Sequence, residues 1–394
     1  MTSLSPVAIT GLGCICAAGH DLDTCIAPLF AGNRSPAPPA RFGSTHEVPY
    51  PVFEIRGFAE RPDILRTAAL GLHAAREALA DAGLDAETLR PLRVGICVGT
   101  TIGCSVNNEA FCRAYRSGGT PDLAPIERIM RSNPATVIAR EFGLSGPCHT
   151  VVNACSSGTD AVGIGASWIR SGLCDVVIAG GADELDRITY NGFISLMITD
   201  DSPCKPFDRE RKGLNLGEGA AMLVLEAEGV RRRRQKKARS FLLGYGSACD
   251  AHHLTAPKPD GTGLRRAIAE ALHAAGIGTG DVAFVNAHGT GTPDNDRVET
   301  LVLSEMLPNV PFLSTKGYTG HTLGAAGAIE AVFTAVSLEL GKVPANAGFS
   351  LVDPECACTP VRQVTAVTGT VAISESLAFG GNNAVIVLGT GETA

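Results

Sequence analysis

The sequence predicts an α/β protein built as a duplicated fold, with two buried helices lying between sheets. Three observations carry that prediction. Short β-rich runs alternate with helical stretches along the whole chain, the pattern of α/β layering. The order of elements, and some of the letters, recur in the second half. Two helical stretches are made of residues too small for a surface helix.

The first strand is expected over Val7–Thr10, followed by the turn-prone Gly11-Leu12-Gly13. A helix over Thr67–Ala82 ends at Gly83 and precedes a strand at Val94–Val98, which runs into Gly99-Thr100-Thr101-Ile102-Gly103. The later segment Ala269-Glu270-Ala271-Leu272-His273-Ala274-Ala275-Gly276 echoes Arg76-Glu77-Ala78-Leu79-Ala80-Asp81-Ala82-Gly83. A strand at Val282–Asn286 then runs into another Gly-Thr turn, Gly289-Thr290. After each unit comes a small-residue helix, Ser156–Ile169 in the first half and Gly324–Leu338 in the second. Gly158, Gly163 and Gly165 each cost roughly 1 kcal/mol of helix propensity relative to alanine. That cost is offset only where backbones approach closely, so both helices belong inside, with sheets on either side and further helices outside. The halves, 1–240 and 241–394, are expected to form one compact unit.

Of the 394 residues 45% are hydrophobic and 19% charged, enough apolar material for a large core. No apolar run reaches the roughly 18 residues of a membrane span, and no secretory leader is legible at the N-terminus. These readings predict a cytoplasmic protein whose 13 cysteines are mostly reduced. A net charge of −7 argues against nucleic-acid binding. The basic run Arg231, Arg232, Arg233, Arg234, Lys236, Lys237 and Arg239 reads as a solvated helix face, with docking of an acidic partner as the alternative. Cys356-Ala357-Cys358 and His252-His253 lack a four-ligand spacing, so no metal site is expected.

The chemistry concentrates at three positions. In Thr150-Val151-Val152-Asn153-Ala154-Cys155-Ser156-Ser157-Gly158, a strand ends at Ala154 and the buried helix begins at about Cys155. A cysteine there faces the helix dipole and unpaired backbone N–H groups, which favour thiolate and suit an oxyanion. Ala287-His288-Gly289-Thr290-Gly291-Thr292 places a histidine at the end of a buried strand. Ser314-Thr315-Lys316-Gly317-Tyr318-Thr319-Gly320-His321 places a second just before the second buried helix. If the halves are pseudo-symmetric, His321 sits opposite Cys155 across the centre of the fold.

These motifs resemble those of the β-ketoacyl-acyl carrier protein synthases, elongating condensing enzymes of the thiolase superfamily. The similarity continues through Lys205-Pro206-Phe207-Asp208, Arg211, Gly217-Glu218-Gly219, Asn295-Asp296, Gly324-Ala325-Ala326-Gly327 and Phe379-Gly380-Gly381. The resemblance implies the five-layered αβαβα thiolase fold and a homodimer, or a heterodimer with a ketosynthase-like partner. It implies that Cys155 accepts an acyl chain from the carrier protein, and that His288 and His321 hydrogen-bond the malonyl thioester oxygen as neutral imidazoles. It makes Lys316 a supporting cation, Glu330 a member of its network, and Thr290 and Thr292 contacts of the pantetheine arm. The backbone N–H groups of Cys155 and Phe379 become the oxyanion hole, with Phe379 gating access, and His253 is placed near the entrance. Acyl and malonyl carrier proteins are the implied partners; no bound cofactor is expected, since no dinucleotide or phosphate-cradling fingerprint is present. Arg61, Arg66 and the 231–239 run are candidates for carrier docking.

Departures from the family pattern are Ala378 before Phe379, Leu377, Asn382 and Gly317-Tyr318. If they border the acyl pocket, specialised polyketide or polyene synthesis becomes an alternative to fatty-acid elongation. Thiolases carry a second cysteine in a C-terminal Cys-x-Gly, absent from Phe379-Gly380-Gly381. Initiating and chalcone-type synthases use Cys-His-Asn, whereas His321 occupies the third position here. A silent chain-length subunit is the reading from a different class, although such partners usually lack the nucleophile.

Overall fold

The computed structural model describes residues 4–101 and 109–391. Its strands are β1 (Val7–Cys16), β2 (Val94–Gly99), β3 (Cys148–Val151), β4 (Val176–Asp183), β5 (Gly219–Glu226) and β6 (Ser240–Cys249). They continue with β7 (Val282–Asn286), β8 (Phe312–Leu313), β9 (Lys342–Val343), β10 (Thr365–Ala366), β11 (Val371–Ala378) and β12 (Asn382–Gly389). Strands β9 and β10 form a small separate pair. The rest are ordered β3-β2-β4-β5-β1 and then β6-β12-β11-β7-β8, the same order twice about a shared join. Pairing senses repeat too: β2 runs parallel to β3 and β4, as β7 does to β8 and β11, while β5 and β12 are antiparallel to their neighbours. The join is narrow, because β1 meets β6 only from Val7 to Ile9, where a register shift begins.

The layers follow from which faces are apolar. The helix Ser157–Arg170 packs on β2 and β4 of the first half and reaches β6 and β12 of the second. The helix Ala326–Leu340 packs on β5 and β4 and also on β11 and β12. Helix Arg66–Ala82 covers the outside of β1 and β5, and Thr262–Ala275 covers β6 and β12. Helix, sheet, helix pair, sheet, helix makes five layers, the thiolase fold. Strands β4, β5 and β7 are buried on both faces and so read as near-continuous apolar runs. The outer helices end in left-handed caps at Gly83 and Gly276, where φ is 66° and 70°.

Three local readings are corrected. Gly11-Leu12-Gly13 is no turn but the middle of β1. A Cβ on Gly11 would meet the backbone nitrogen of Ala82 at 2.6 Å, and one on Gly13 that of Ala78 at 2.7 Å. Those glycines let strand and helix touch. The strand before Cys155 ends at Val151, and the helix after it begins at Ser157, so Cys155 lies in the tight connection between them. Ala154 holds that bend with φ 49°, a left-handed conformation that costs a non-glycine residue about 1 kcal/mol or more. Finally, Leu323–Leu340 is long and apolar enough to cross a membrane by length and composition. It is 89% buried as the centre of the molecule, which accounts for its composition.

The two inner helices touch at Gly158. A Cβ there would lie 2.8 Å from the carbonyl oxygen of Gly324 and 2.9 Å from the backbone nitrogen of Ala328. Gly158→Val is expected to lose about 1–3 kcal/mol through overpacking against backbone that cannot retreat. Urea denaturation should show a lowered midpoint, while Gly280→Ala, with nothing within 4 Å, should leave it in place. Equal midpoints for both variants would refute close packing at Gly158.

Candidate active site

The repeated topology brings the chemistry together. Cys155 follows β3 and His321 follows the corresponding strand β8, so the two occupy equivalent places in the two halves. His288 lies just beyond β7, and Phe379 directly follows β11. These strands deliver Cys155, His288, His321 and Phe379 to one cavity of about 270 Å³, which Thr290, Thr292, Phe193, Leu377 and Ala378 also line.

His321 Nε2 lies 3.1 Å from Cys155 Sγ. The Leu323 backbone N–H points at His321 Nδ1 at 3.3 Å, which leaves the hydrogen of a neutral ring on Nε2, facing sulfur. His288 is set the same way by a different donor. Lys316 Nζ is 3.0 Å from His288 Nδ1 and 2.6 Å from the His288 carbonyl oxygen, and it also donates to Glu330 Oε1. Three acceptors thus engage the three N–H bonds of the ammonium, and the His288 hydrogen is on Nε2. The two rings stand edge to face, 5.3 Å apart at 87°. Burial, reinforced by the Lys316 charge, holds both imidazoles well below their ordinary range. His288 is pushed further the same way by His321. Both are neutral N–H donors at physiological pH.

The expectation that Cys155 is poised as a thiolate is corrected. Burial pushes its thiol up to about 11, against the pull of Lys316 and of the Phe379 backbone N–H. The side chain is 4% exposed, and the partial charges at a helix start do not replace lost water. At pH 7 the thiol form predominates. Alkylation of Cys155 by iodoacetamide is therefore expected to speed up about tenfold per pH unit between pH 7 and 10. Peptide mass spectrometry of the labelled site would show it; a plateau by pH 8 would contradict it.

The surrounding carboxylates hold backbone in place. Asp160 accepts from Asn153 Nδ2 at 2.6 Å, Ser156 Oγ at 2.8 Å and Tyr245 Oη at 2.8 Å, fixing the bend that holds Cys155. Asp183 ties the halves together through Thr100 Oγ1 at 2.6 Å and the Gly324 N–H at 2.7 Å, and burial raises it to about 6. Glu299 accepts the N–H of His288 at 2.5 Å and of Gly289 at 2.7 Å. Glu330, raised by burial and pulled back by Lys316, lies behind the histidines. The motif residue Asp296 accepts the Phe207 N–H at 2.7 Å and faces Arg211 at 3.5 Å, so Lys205-Pro206-Phe207-Asp208 and Arg211 brace the His288 loop.

Thr290 and Thr292 meet hydroxyl to hydroxyl at 2.8 Å on the cavity wall. Phe379 stacks on Phe193, with centroids 5.6 Å apart and planes 15° from parallel. Phe193, Asp160, Asp183 and Glu299 were not found from the sequence. Glu299 had a faint signal, its spacing from Asp296 on one helix; Phe193 had none. Of the departures, Leu377 and Ala378 line the cavity. Asn382 instead donates to the Phe379 carbonyl at 3.3 Å. Gly317 packs on Ala347, and Tyr318 is buried with its hydroxyl donated to Ala345, so neither borders the cavity.

Other candidates are placed elsewhere. His253 is exposed, its Nδ1 accepting the N–H groups of Thr255 and Ala256 at 3.1 Å, and these two residues line the cavity. Arg66 is no docking residue: it is 3% exposed and clamps Glu218 at 2.7 Å. The basic run is largely consumed internally, with Arg231 and Arg232 on Glu228, Arg234 on Glu226, and Arg239 on Asp81 and Glu339. Arg61 is paired with Asp63. Cys356 and Cys358 lie beside Asp353 and Thr300, and the described cysteines are free thiols.

Comparison with known proteins agrees with this geometry. Residues 4–229 match the model of the β-ketoacyl synthase N-terminal domain and residues 239–350 that of its C-terminal domain. The chain is 33% identical to 3-oxoacyl-[acyl-carrier-protein] synthase 2 of Synechocystis sp., over 96% of this chain and 97% of that protein. It is 36% identical to the tetracenomycin polyketide synthase ketoacyl synthase alpha subunit of Streptomyces glaucescens, covering 82% and 80%. Among solved structures, the ishigamide ketosynthase/chain length factor superposes with a TM-score of 0.94 at 32% identity, covering 99% of this chain and 100% of that one. With both domain models matched and near-full-length relatives above 30% identity, this chain belongs to the β-ketoacyl synthase family of condensing enzymes.

Proposed function

We propose that this chain catalyses the decarboxylative Claisen condensation of a Cys155-bound acyl group with malonyl-acyl carrier protein, in fatty-acid or polyketide synthesis. The observation that carries this reading is the convergence of Cys155 Sγ and two neutral Nε2–H donors in one cavity. Cys155 attacks the acyl thioester on the carrier's pantetheine, and its thiol proton leaves with the departing thiolate. Malonyl thioester then loses carbon dioxide, and the enolate oxygen is held by the N–H groups of His288 and His321. Neutral imidazoles suit this task, because an imidazolium would protonate the carbanion. The enolate carbon attacks the acyl carbonyl, whose oxygen the backbone N–H groups of Cys155 and Phe379 receive. Collapse expels Cys155, which recovers one proton from solvent. Thr290 and Thr292 guide the pantetheine arm, while Lys316 and Glu330 keep His288 neutral and fixed.

The carrier protein in the name of the Synechocystis relative supports the partner. A homodimer, or a heterodimer with a ketosynthase-like partner, belongs to the same reading. The first half ends at the open edge of β3, with Val152 beyond it 65% exposed. The division into halves at about residue 240 is supported by the repeated strand order, and the reaction is assigned to the cytoplasm.

Intact-protein mass spectrometry tests the reading. Incubation with a panel of acyl carrier proteins should add one acyl mass at Cys155, and malonyl carrier protein should then remove it as β-ketoacyl product forms. A second reading, a silent chain-length subunit, is favoured by the ishigamide similarity and opposed by the intact Cys155. No adduct from any donor, in folded protein, would favour it.

A further inference from the structure

Behind His288 lies a buried charge cluster of which the proposed function uses Lys316 and Glu330 and leaves Glu299 and Glu375 without a role. Glu299 extends from the helix Pro293–Met306, Glu330 from Ala326–Leu340, Lys316 from the turn after β8, and Glu375 from β11. All four are 2% exposed or less. Lys316 is committed to Glu330 and His288. Three ionised carboxylates against one cation would leave an excess of two negative charges in a dry interior, which is prohibitive, so protons are retained. Hydrogen bonding shows where. Glu299 accepts the His288 and Gly289 N–H groups and Asn295 Nδ2 at 3.2 Å, which favours its ionised form. Among the described residues, neither Glu375 oxygen receives a hydrogen from any N–H or hydroxyl donor. Its side chain interacts with the Glu299 carboxylate, which as an anion can only accept.

We propose that Glu375 is a positioning residue, a carboxylic acid that donates its O–H to Glu299 and so locks the Glu299 bonds that hold His288 and Gly289. This role rests on the assignment of His288 to the enolate. The direction of titration agrees: burial, then the Glu299 charge, pushes Glu375 well above the carboxylate range. Glu299, raised to about 7 by burial, is pulled down by its bond to Glu375. The charged or titratable groups facing the pair are Glu330, Lys316, Asp296 and Cys358. Loss of the Glu375 proton at high pH sets two carboxylates against each other and loosens the His288 loop.

Glu375→Gln and Glu375→Leu test this, because glutamine retains a donor for Glu299 and leucine does not. The kinetic readout is single-turnover condensation of enzyme acylated beforehand at Cys155, which removes that thiol from the pH profile. Expected are a rate within threefold of the parent for Glu375→Gln and a fall of 10-fold or more for Glu375→Leu, with little change in KM. The parent should lose rate at alkaline pH, and Glu375→Gln should lose it less. Amide exchange at His288 and Gly289 should accelerate at least tenfold in Glu375→Leu alone. This arm needs no turnover, so it separates failure of this proposal from failure of the condensation reading. A glutamine variant as impaired as the leucine variant, alkaline limbs identical in parent and Glu375→Gln, or unaltered exchange in folded Glu375→Leu would overturn it. If Glu375→Leu does not fold, the comparison of parent with Glu375→Gln across pH decides alone.

Discussion

Cys155→Ala is expected to accumulate no acyl adduct and to lose condensation by a factor of about 10⁴ or more, because the covalent step has no substitute nucleophile. The thiol side chain is small and already lines a cavity, so its removal should leave the fold unaltered. Intact mass and thermal melting on the same sample separate chemistry from folding. Cys155→Ser is less informative, since an even weaker acid replaces a thiol already held near 11. Among the described residues, the others that line the cavity include no second cysteine. An adduct persisting in Cys155→Ala, or more than about 1% residual turnover, would place the nucleophile elsewhere and remove the basis of the proposed function.

The second large effect concerns the two histidines, whose substitutions should not be equivalent. Removing one donor to a developing oxyanion costs about 10²–10³ in rate. Both His288→Ala and His321→Ala should lose that much in condensation of the pre-acylated enzyme. His321 also contacts Cys155 at 3.1 Å, whereas the Nδ1 of His288 is bonded to Lys316. Acylation should therefore survive in His288→Ala within several-fold and slow markedly in His321→Ala. Stopped reactions resolved by mass spectrometry measure the two steps separately. Equal acylation rates in both variants would show that the His321 contact contributes nothing to transfer.

Much of this was legible from residue order alone. Apolar β-rich runs alternating with helical stretches, the two Gly-capped helices and the two small-residue helices specify a duplicated α/β core, because burial on both faces and close helix contact restrict residue types strongly. Cys155, His288 and His321 were legible for a related reason. Chemistry at strand ends needs a reactive side chain beside small, permissive neighbours, and that juxtaposition survives in the linear pattern. Gly11-Leu12-Gly13 marks where this logic stops. Glycine signals a turn or a close contact equally well, and only the helix lying across β1 decides between them.

Charge is where tertiary structure mattered most. Arg66 and Arg239 look like surface in the sequence, yet their carboxylate partners Glu218, Asp81 and Glu339 arrive from distant segments, whereas Arg231, Arg232 and Arg234 pair locally with Glu228 and Glu226. Cys155 looks activated by its helix, yet burial outweighs the dipole, because lost solvation acts on the whole charge whereas the helix end supplies only partial charges. The sequence by itself determined the layered fold and singled out Cys155, His288 and His321, since periodicity and local motif encode them. Only the tertiary structure decided protonation, ring tautomers and the bracing by Asp160, Asp183 and Glu299, since each depends on groups that folding brings within hydrogen-bonding distance.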